Sequence, residues 1–425
     1  MKRFLFLASA IVLIVVVIWG GNYLLSGVGD DKKNDNPNLD GGQVISVLPG
    51  GGVGATGGGG VGGTTDGTSR NNSSSVDQVV AFPLTPKNGF GVIIDRDVKD
   101  YVVDKDGSII FIQKSGQVMH VASEGADILS SVSISNLRYA SISDDAQKIV
   151  VVFGSEVAPQ VSIFDIKEKS WEPLFIYPES WPVWAPNNYR LAYITRDKDI
   201  SALEVIDVAS ANPTAQRLAS LDMFDIEAFW KNSGEIIISQ RATAFAKQDA
   251  FVFNIARRSL TSLFADEPGL VYLWYPLIDQ GVVFTSASSL RGGLFDLVDA
   301  SGKRSRRFSF VALPRDKCTF MQLPNFNIDP NEVKDIDLAE ASLVCALPRS
   351  DSGYSNYNVP DDYWQGQVDV SERIVKVSLE NGTYETVSNN TQGLFDAIKI
   401  KVGNDALYFI NRTDGRIYGL DFATH

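Results

Sequence analysis

Two suitably placed carboxylates can cleave a glycosidic bond, and acidic side chains are what this sequence has in quantity. It carries 51 Asp and Glu against 38 Lys and Arg in 425 residues, a net charge of −13 at pH 7. No spacing pairs two of them for acid–base work. Other chemistries run out of residues sooner. The two histidines are His120, in a repeated strand position, and His425, at the end of the sequence. A Ser-His-Asp triad is left without a base. Two cysteines and two histidines do not make a structural zinc site. Asp95-Arg-Asp97 and Asp104-Lys-Asp106-Gly107 have the opening of a calcium loop but lack the Glu that would complete the oxygen set. A quinoprotein hairpin would need a Thr-Gly and a Trp after each strand-ending Asp, and Trp171 alone sits at that spacing. No catalytic residue, metal or cofactor is therefore expected. The acidic balance argues against nucleic acid, whose phosphates require a basic face.

The elements that would position any site are short strands repeated from about residue 97. Ser162-Ile-Phe-Asp165, Leu203-Glu-Val-Ile-Asp207, Phe251-Val-Phe-Asn254 and Ile374-Val-Lys-Val-Ser378 each end an apolar strand on a short polar residue before a turn. Units of roughly 40–47 residues with four strands read as β-propeller blades. Seven inner strands align, ending at Val103, Ile142, Trp184, Trp230, Trp274, Phe320 and Ile400. Turn chemistry follows them, as in Asp104-Lys-Asp-Gly107, Ser143-Asp-Asp-Ala146 and Lys231-Asn-Ser-Gly234. One aromatic per repeat at the same position (Trp184, Trp230, Trp274, Phe320) reads as packing between blades rather than a ligand cage. The Asp165, Asp207 and Asn254 column reads as acceptors for their own turn amides.

Ser143-Asp-Asp-Ala-Gln-Lys-Ile149-Val and Trp184-Ala-Pro-Asn-Asn-Tyr-Arg-Leu191-Ala-Tyr are similar to the repeat unit of TolB-like propellers. The chain thus resembles TolB-like and WD-repeat-like propellers over roughly residues 97–422, although neither the Gly-His nor the Trp-Asp signature is present. The resemblance implies a rigid platform for protein binding. The fold class expected is all-β, a seven-bladed propeller over residues 76–425. Its last repeat has only three strands before the sequence ends. A propeller must close or leave a bare edge, so Gly91-Val-Ile-Ile-Asp95 is expected to supply the outer strand of the last blade.

Residues 1–25 read as a cytoplasmic tip and an uncleaved transmembrane helix. Lys2 and Arg3 precede an apolar run from Phe4 to Trp19, with Trp19 and Tyr23 at the far interface. Residues 26–75 are rich in Gly, Ser, Thr and Asn and are expected to form a disordered tether with a reach of about 40 Å. Gly50 to Gly63 is no phosphate loop, because no Gly-Lys-Ser/Thr follows it.

The sixth repeat is nearly doubled. Cys318 and Cys345 fall on its first two strands and are expected to pair as a disulfide outside the cytoplasm. One insertion, Asn325 to Ala341, predicts a short helix. The other, Arg349 to Val370, lies on the face that carries the loops entering each inner strand. Its Tyr354, Tyr357, Asp361, Asp362, Tyr363 and Trp364 have the composition of a binding hot spot. Arg196, Arg241 and Arg291, on neighbouring connections with Lys198, Lys247 and Arg412, would join them. The competing expectation is a self-packed loop capping the central channel.

The function these features imply is non-catalytic: a single-pass membrane protein displaying a propeller in the cell envelope, periplasmic or at a bacterial cell surface, that binds protein or cell-wall glycan. The alternatives are a carbohydrate-active enzyme with an acidic pair in the propeller funnel, and a structural subunit of an envelope complex.

Overall fold

The computed structural model describes residues 89–287, 292–321, 341–350, 353–387, 395–403 and 406–421. The expected transmembrane segment, the tether, the helix within Asn325 to Ala341 and Arg291 lie outside these residues. No helix among the described residues is long and apolar enough to cross a membrane.

Seven four-stranded antiparallel sheets make the propeller. Blade 1 is β2 (Val98–Val103), β3 (Ile109–Gln113), β4 (Val118–Ala122) and β5 (Gly125–Ser130). Blade 2 is β6 (Leu137–Ile142), β7 (Lys148–Gly154), β8 (Pro159–Asp165) and β9 (Ser170–Leu174). Blade 3 is β10 (Val183–Trp184), β11 (Arg190–Asp197), β12 (Ile200–Asp207) and β13 (Gln216–Leu221). Blade 4 is β14 (Ile226–Asn232), β15 (Glu235–Gln240), β16 (Lys247–Asn254) and β17 (Ser259–Pro268). Blade 5 is β18 (Val271–Tyr275), β19 (Gln280–Thr285), β20 (Leu294–Val298) and β21 (Arg304–Arg307). Blade 6 follows the one-turn helix α1 (Pro314–Lys317) and comprises β22 (Cys318–Phe320), β23 (Ser342–Pro348), β24 (Glu372–Ser378) and β25 (Tyr384–Thr386), with a second turn of helix, α2 (Asp361–Trp364), before β24. Blade 7 is β26 (Ala397–Val402), β27 (Ala406–Asn411) and β28 (Ile417–Asp421), completed by β1 (Phe90–Ile94).

That last pairing closes the ring as the sequence predicts. Phe90 faces Leu420, and Gly91 faces Gly419 in the antiparallel register. The Phe90 ring packs on Phe395, Phe409 and Tyr418 at 5.7–6.3 Å between centroids, so side chains reinforce the ladder.

The second strand of each blade is covered on both sheet faces and reads as an unbroken apolar run. Ile149, Val150, Val151 and Val152 of β7 are all buried. One face packs on blade 1 through Ile110, Ile112 and Val118, the other on blade 3 through Leu191 and Tyr193. Each such side chain contributes roughly 1.5–3 kcal/mol.

The aromatic column does pack between blades. Trp184 and Trp230 donate from their indole nitrogens to Ser141 O and Val183 O of the preceding blades, each at 3.0 Å. Trp274 packs in one core cluster with Ile237 and Ala250 of blade 4, and Lys231 Nζ of that blade lies 5.1 Å from its ring. Phe320 stacks on Tyr275 at 4.7 Å. The polar column also serves its own turns: Asp165, Asp207 and Asn254 accept from the amides of Glu168, Ala209 and Arg257 at 2.9–3.0 Å. Cys318 and Cys345 face each other across β22 and β23 and form the expected disulfide, with their Cα atoms 4.1 Å apart.

Candidate interaction face

Because every blade is an antiparallel meander, its loops divide between two ends of the ring. The connections from an outer strand to the next inner strand share one face with the connections from second to third strand. The tight hairpins after the first and third strands occupy the other. The long connection of blade 6 therefore lies on the first face, together with the starts of β22, β24 and β26 and the end of β27.

Those four positions carry a buried charged cluster. Lys317, at the end of α1, is fully buried. Its Nζ is 2.7 Å from Glu372 Oε1, bonds Asp396 Oδ1, and donates to Ala397 O at 3.0 Å. Glu372 Oε2 accepts from Ala397 N at 2.7 Å. Arg412 Nε donates to the second Asp396 oxygen at 2.6 Å, and its two terminal nitrogens donate to Tyr363 O and Val368 O. Tyr363, from α2, closes the cluster. Its hydroxyl donates to Asp396 Oδ1 at 3.1 Å, and its ring lies 4.7 Å from Lys317 Nζ and 4.2 Å from the Arg412 guanidinium carbon. Burial pushes the Glu372 carboxyl up to about 7; the nearby Asp396 charge adds to this and Lys317 offsets part of it. Burial also raises the Tyr363 phenol well above its ordinary value.

The connection expected to present aromatics outward thus turns two of them inward. Tyr354 and Tyr363 are each 2% exposed and belong to the core between blades 5 and 6. This corrects the reading of both as contact residues: the loop is long enough to fold back, and the cluster gives the Tyr363 hydroxyl a charged acceptor. Tyr357 is half-buried against the same core. Asp361 accepts from Ala244 N of blade 4 at 2.6 Å, and Asp362 from Asn358 N at 2.6 Å. Trp364 stays 42% exposed, its indole donating to Asp316 at 2.9 Å. Four basic residues of this face are matched locally: Arg196 by Glu179, Arg241 by Asp225, Lys247 by Asp266, and Arg412 by Asp396.

Carboxylates toward the channel are matched too. Arg315 of α1 reaches to Glu227 of blade 4, with one nitrogen 3.0 Å from both carboxylate oxygens, and lies over the rings of Phe229 and Tyr272. Asp100 pairs with Lys399 at 2.7 Å and accepts from Ile142 N, tying blade 1 to blades 7 and 2.

A second set of residues on this face, apart from Trp364, escaped the sequence reading. Eleven large apolar side chains are exposed among the described residues. Three, Ile128, Leu260 and Tyr384, are on outer strands. Of the other eight, seven are in connections of the first face and Ile200 opens β12 at that same face; none is on the hairpin face. Val157, Phe175, Tyr177, Trp181 and Ile200 come from blades 2 and 3, Phe224 and Phe245 from the edges of blade 4, and Trp364 from blade 6. Documented contacts link them in sequence around the ring. Arg138 pairs with Glu156, beside Val157, and lies over Trp181, which stacks on Tyr139 at 5.2 Å. Arg196 pairs with Glu179, between Tyr177 and Trp181, and lies over Phe224. Asp225, next to Phe224, pairs with Arg241, whose turn carries Phe245 and is held by Asp361 of α2. The segment 175–182 is pinned at its centre: Glu179 N donates to Ile194 O at 2.7 Å, and Ser180 Oγ accepts from Ile194 N at 3.0 Å. The available sequence signal was Phe175-Ile-Tyr-Pro-Glu-Ser-Trp-Pro182, three aromatics and two prolines in a connection with no strand periodicity to satisfy.

No protein-family model matches the sequence, and no curated protein matches it. Solved structures do. An oligogalacturonate lyase in complex with manganese is 11% identical over 80% of this chain and 92% of that one, with a TM-score of 0.53. The tricorn protease is 12% identical over 79% of this chain, with a TM-score of 0.49; this chain spans 34% of its length. A putative TolB from Agrobacterium tumefaciens is 12% identical over 49% of this chain and 79% of that one, with a TM-score of 0.34. At 11% identity the likeness to the lyase is one of fold.

Proposed function

We propose that this chain is a non-catalytic binding platform, tethered to a membrane by residues 1–25 and displayed in the cell envelope on the 26–75 linker, that captures a protein or cell-wall glycan through the face described above. One observation carries the reading: among the described residues, the exposed large apolar side chains that lie in loops all fall on that face, where solvation is unfavourable and docking would relieve it. The charge pattern supports the same reading. An acid pair for sugar chemistry must be open to the substrate. Glu372 and Asp396 lie beneath Tyr363 and are both held by Lys317.

The test places a photo-crosslinking amino acid at Phe175 or at Lys167, an exposed residue of the hairpin face, in the full-length chain in its native membrane. Defined adducts from position 175 and none from 167 are expected. Equal labelling from both positions removes the reading. Release of the full chain by alkaline carbonate removes the tether.

A further inference from the structure

Building on the platform reading, we propose that the partner is a protein, and that it docks an apolar, uncharged segment onto the rim of blades 2 to 4 rather than onto the blade 6 connection. Three observations carry this.

The first is the chemistry of the exposed groups. Phe175 is 87% exposed, Tyr177 75% and Phe245 71%, and Val157 and Ile200 are aliphatic. Sugar recognition needs open aromatic planes flanked by polar groups that bond hydroxyls. Here the ring of Trp181 carries Tyr139 and Arg138, and that of Phe224 carries Arg196. What remains outward is mostly hydrocarbon without a polar handle, which suits side chains of a polypeptide.

The second is charge. The chain carries −13, yet the band's arginines are neutralised in place. Arg138 meets Glu156 at 3.1 Å, Arg196 meets Glu179 at 3.2 Å and Arg241 meets Asp225 at 3.3 Å. Exposed pairs of this kind contribute little to folding. Their consequence is that these arginines can lose water without leaving their own charge uncompensated. An acidic segment would find each of these three guanidinium groups already paired, so an uncharged occupant is the complementary one at these pairs. A second copy of this chain would bring the same large negative charge toward it.

The third is preorganisation. The two bonds to Ile194 fix the backbone of 175–182, and Pro178 and Pro182 restrict it further. The planes of Trp181 and Phe224 are held by Arg138 and Arg196, so docking on these two rings loses little entropy.

The experiment selects a random linear-peptide library on the full-length chain in nanodiscs. Enriched peptides are expected to be apolar and near neutral. Their affinity should fall at least tenfold in the Phe175→Ser/Tyr177→Ser variant and in Phe175→Lys, and should change less than twofold in Trp364→Ala. Unaltered affinity in the rim variants overturns the assignment. So does enrichment of charged peptides whose binding vanishes with salt. If Trp364→Ala abolishes binding instead, the docking site moves to blade 6 and the platform reading stands. Rim-dependent capture of oligosaccharides from a glycan array, or rim-dependent dimerisation in light scattering, replaces the partner class and likewise leaves the platform intact. If no peptide or glycan is retained and the crosslinker at position 175 yields nothing, both readings fall.

Discussion

The blade 6 connection and the segment 175–182 have similar compositions and opposite outcomes. Each combines aromatics, prolines and acids on the same face of the ring. In blade 6, Tyr354 and Tyr363 turn inward and meet a buried cluster of Lys317, Glu372, Asp396 and Arg412. In the segment before blade 3, Phe175, Tyr177 and Trp181 face water. The difference is reach. The first connection has slack to fold back over the channel, where a carboxylate awaits its phenol. The second is short and tied to Ile194 at its middle, so its rings have no interior to enter. One region uses aromatics to seal the fold, and the other leaves them exposed.

The sharpest way to break this comparison is Lys317→Met. It leaves Glu372 and Asp396 buried without their shared cation and should cost about 3–5 kcal/mol. Urea denaturation of the full chain measures it; a loss below about 1 kcal/mol would mean the seal does not depend on this charge. Next is the Cys318→Ala/Cys345→Ala variant, which should lose about 3 kcal/mol by the loop-closure argument. Calorimetry should show that loss in the wild type under reductant as well, and an unchanged melting temperature would deny the disulfide any role in holding blade 6.

A smaller effect is pH-dependent. Folded Glu372 holds its proton up to about 7 against an ordinary value of 4.5. The folded state thus binds the proton more tightly than the unfolded chain. The stability this brings is fully present below about pH 4.5 and lost as pH rises through about 7. Its slope is at most about 1.4 kcal/mol per pH unit. Glu372→Gln should flatten that part of the profile of denaturation midpoints, and an identical profile would show that the carboxyl is not perturbed. Least of all, Phe175→Ser/Tyr177→Ser should shift stability by no more than about 0.5 kcal/mol. A larger loss in the same denaturation assay would mean that these rings support the fold, and the contrast with Tyr363 would disappear.

Much of the architecture was legible in single stretches. Apolar runs such as Ile149 to Val152, the turn chemistry after them and the recurrence of both gave seven blades, because strand pairing within a blade is local. The deficit of one strand at the end pointed to Gly91–Asp95, one residue from the strand that forms, Phe90–Ile94, because an unpaired edge has a definite cost wherever it occurs. The Cys318–Cys345 pairing followed from two neighbouring strands. The candidate interaction face was less legible: aromatic content marked Tyr354 and Tyr363 as outward and passed over Phe175 and Tyr177.

The sequence by itself therefore determined the repeat, the closure and the separation of an apolar amino-terminal run from the body. The tertiary structure alone decided which aromatics are sealed and which are offered. Burial of Tyr363 depends on Lys317, Asp396 and Arg412, which arrive from two blades and from up to 95 residues apart. No local pattern encodes that meeting; only closure of the ring brings those charges beneath one ring of carbon.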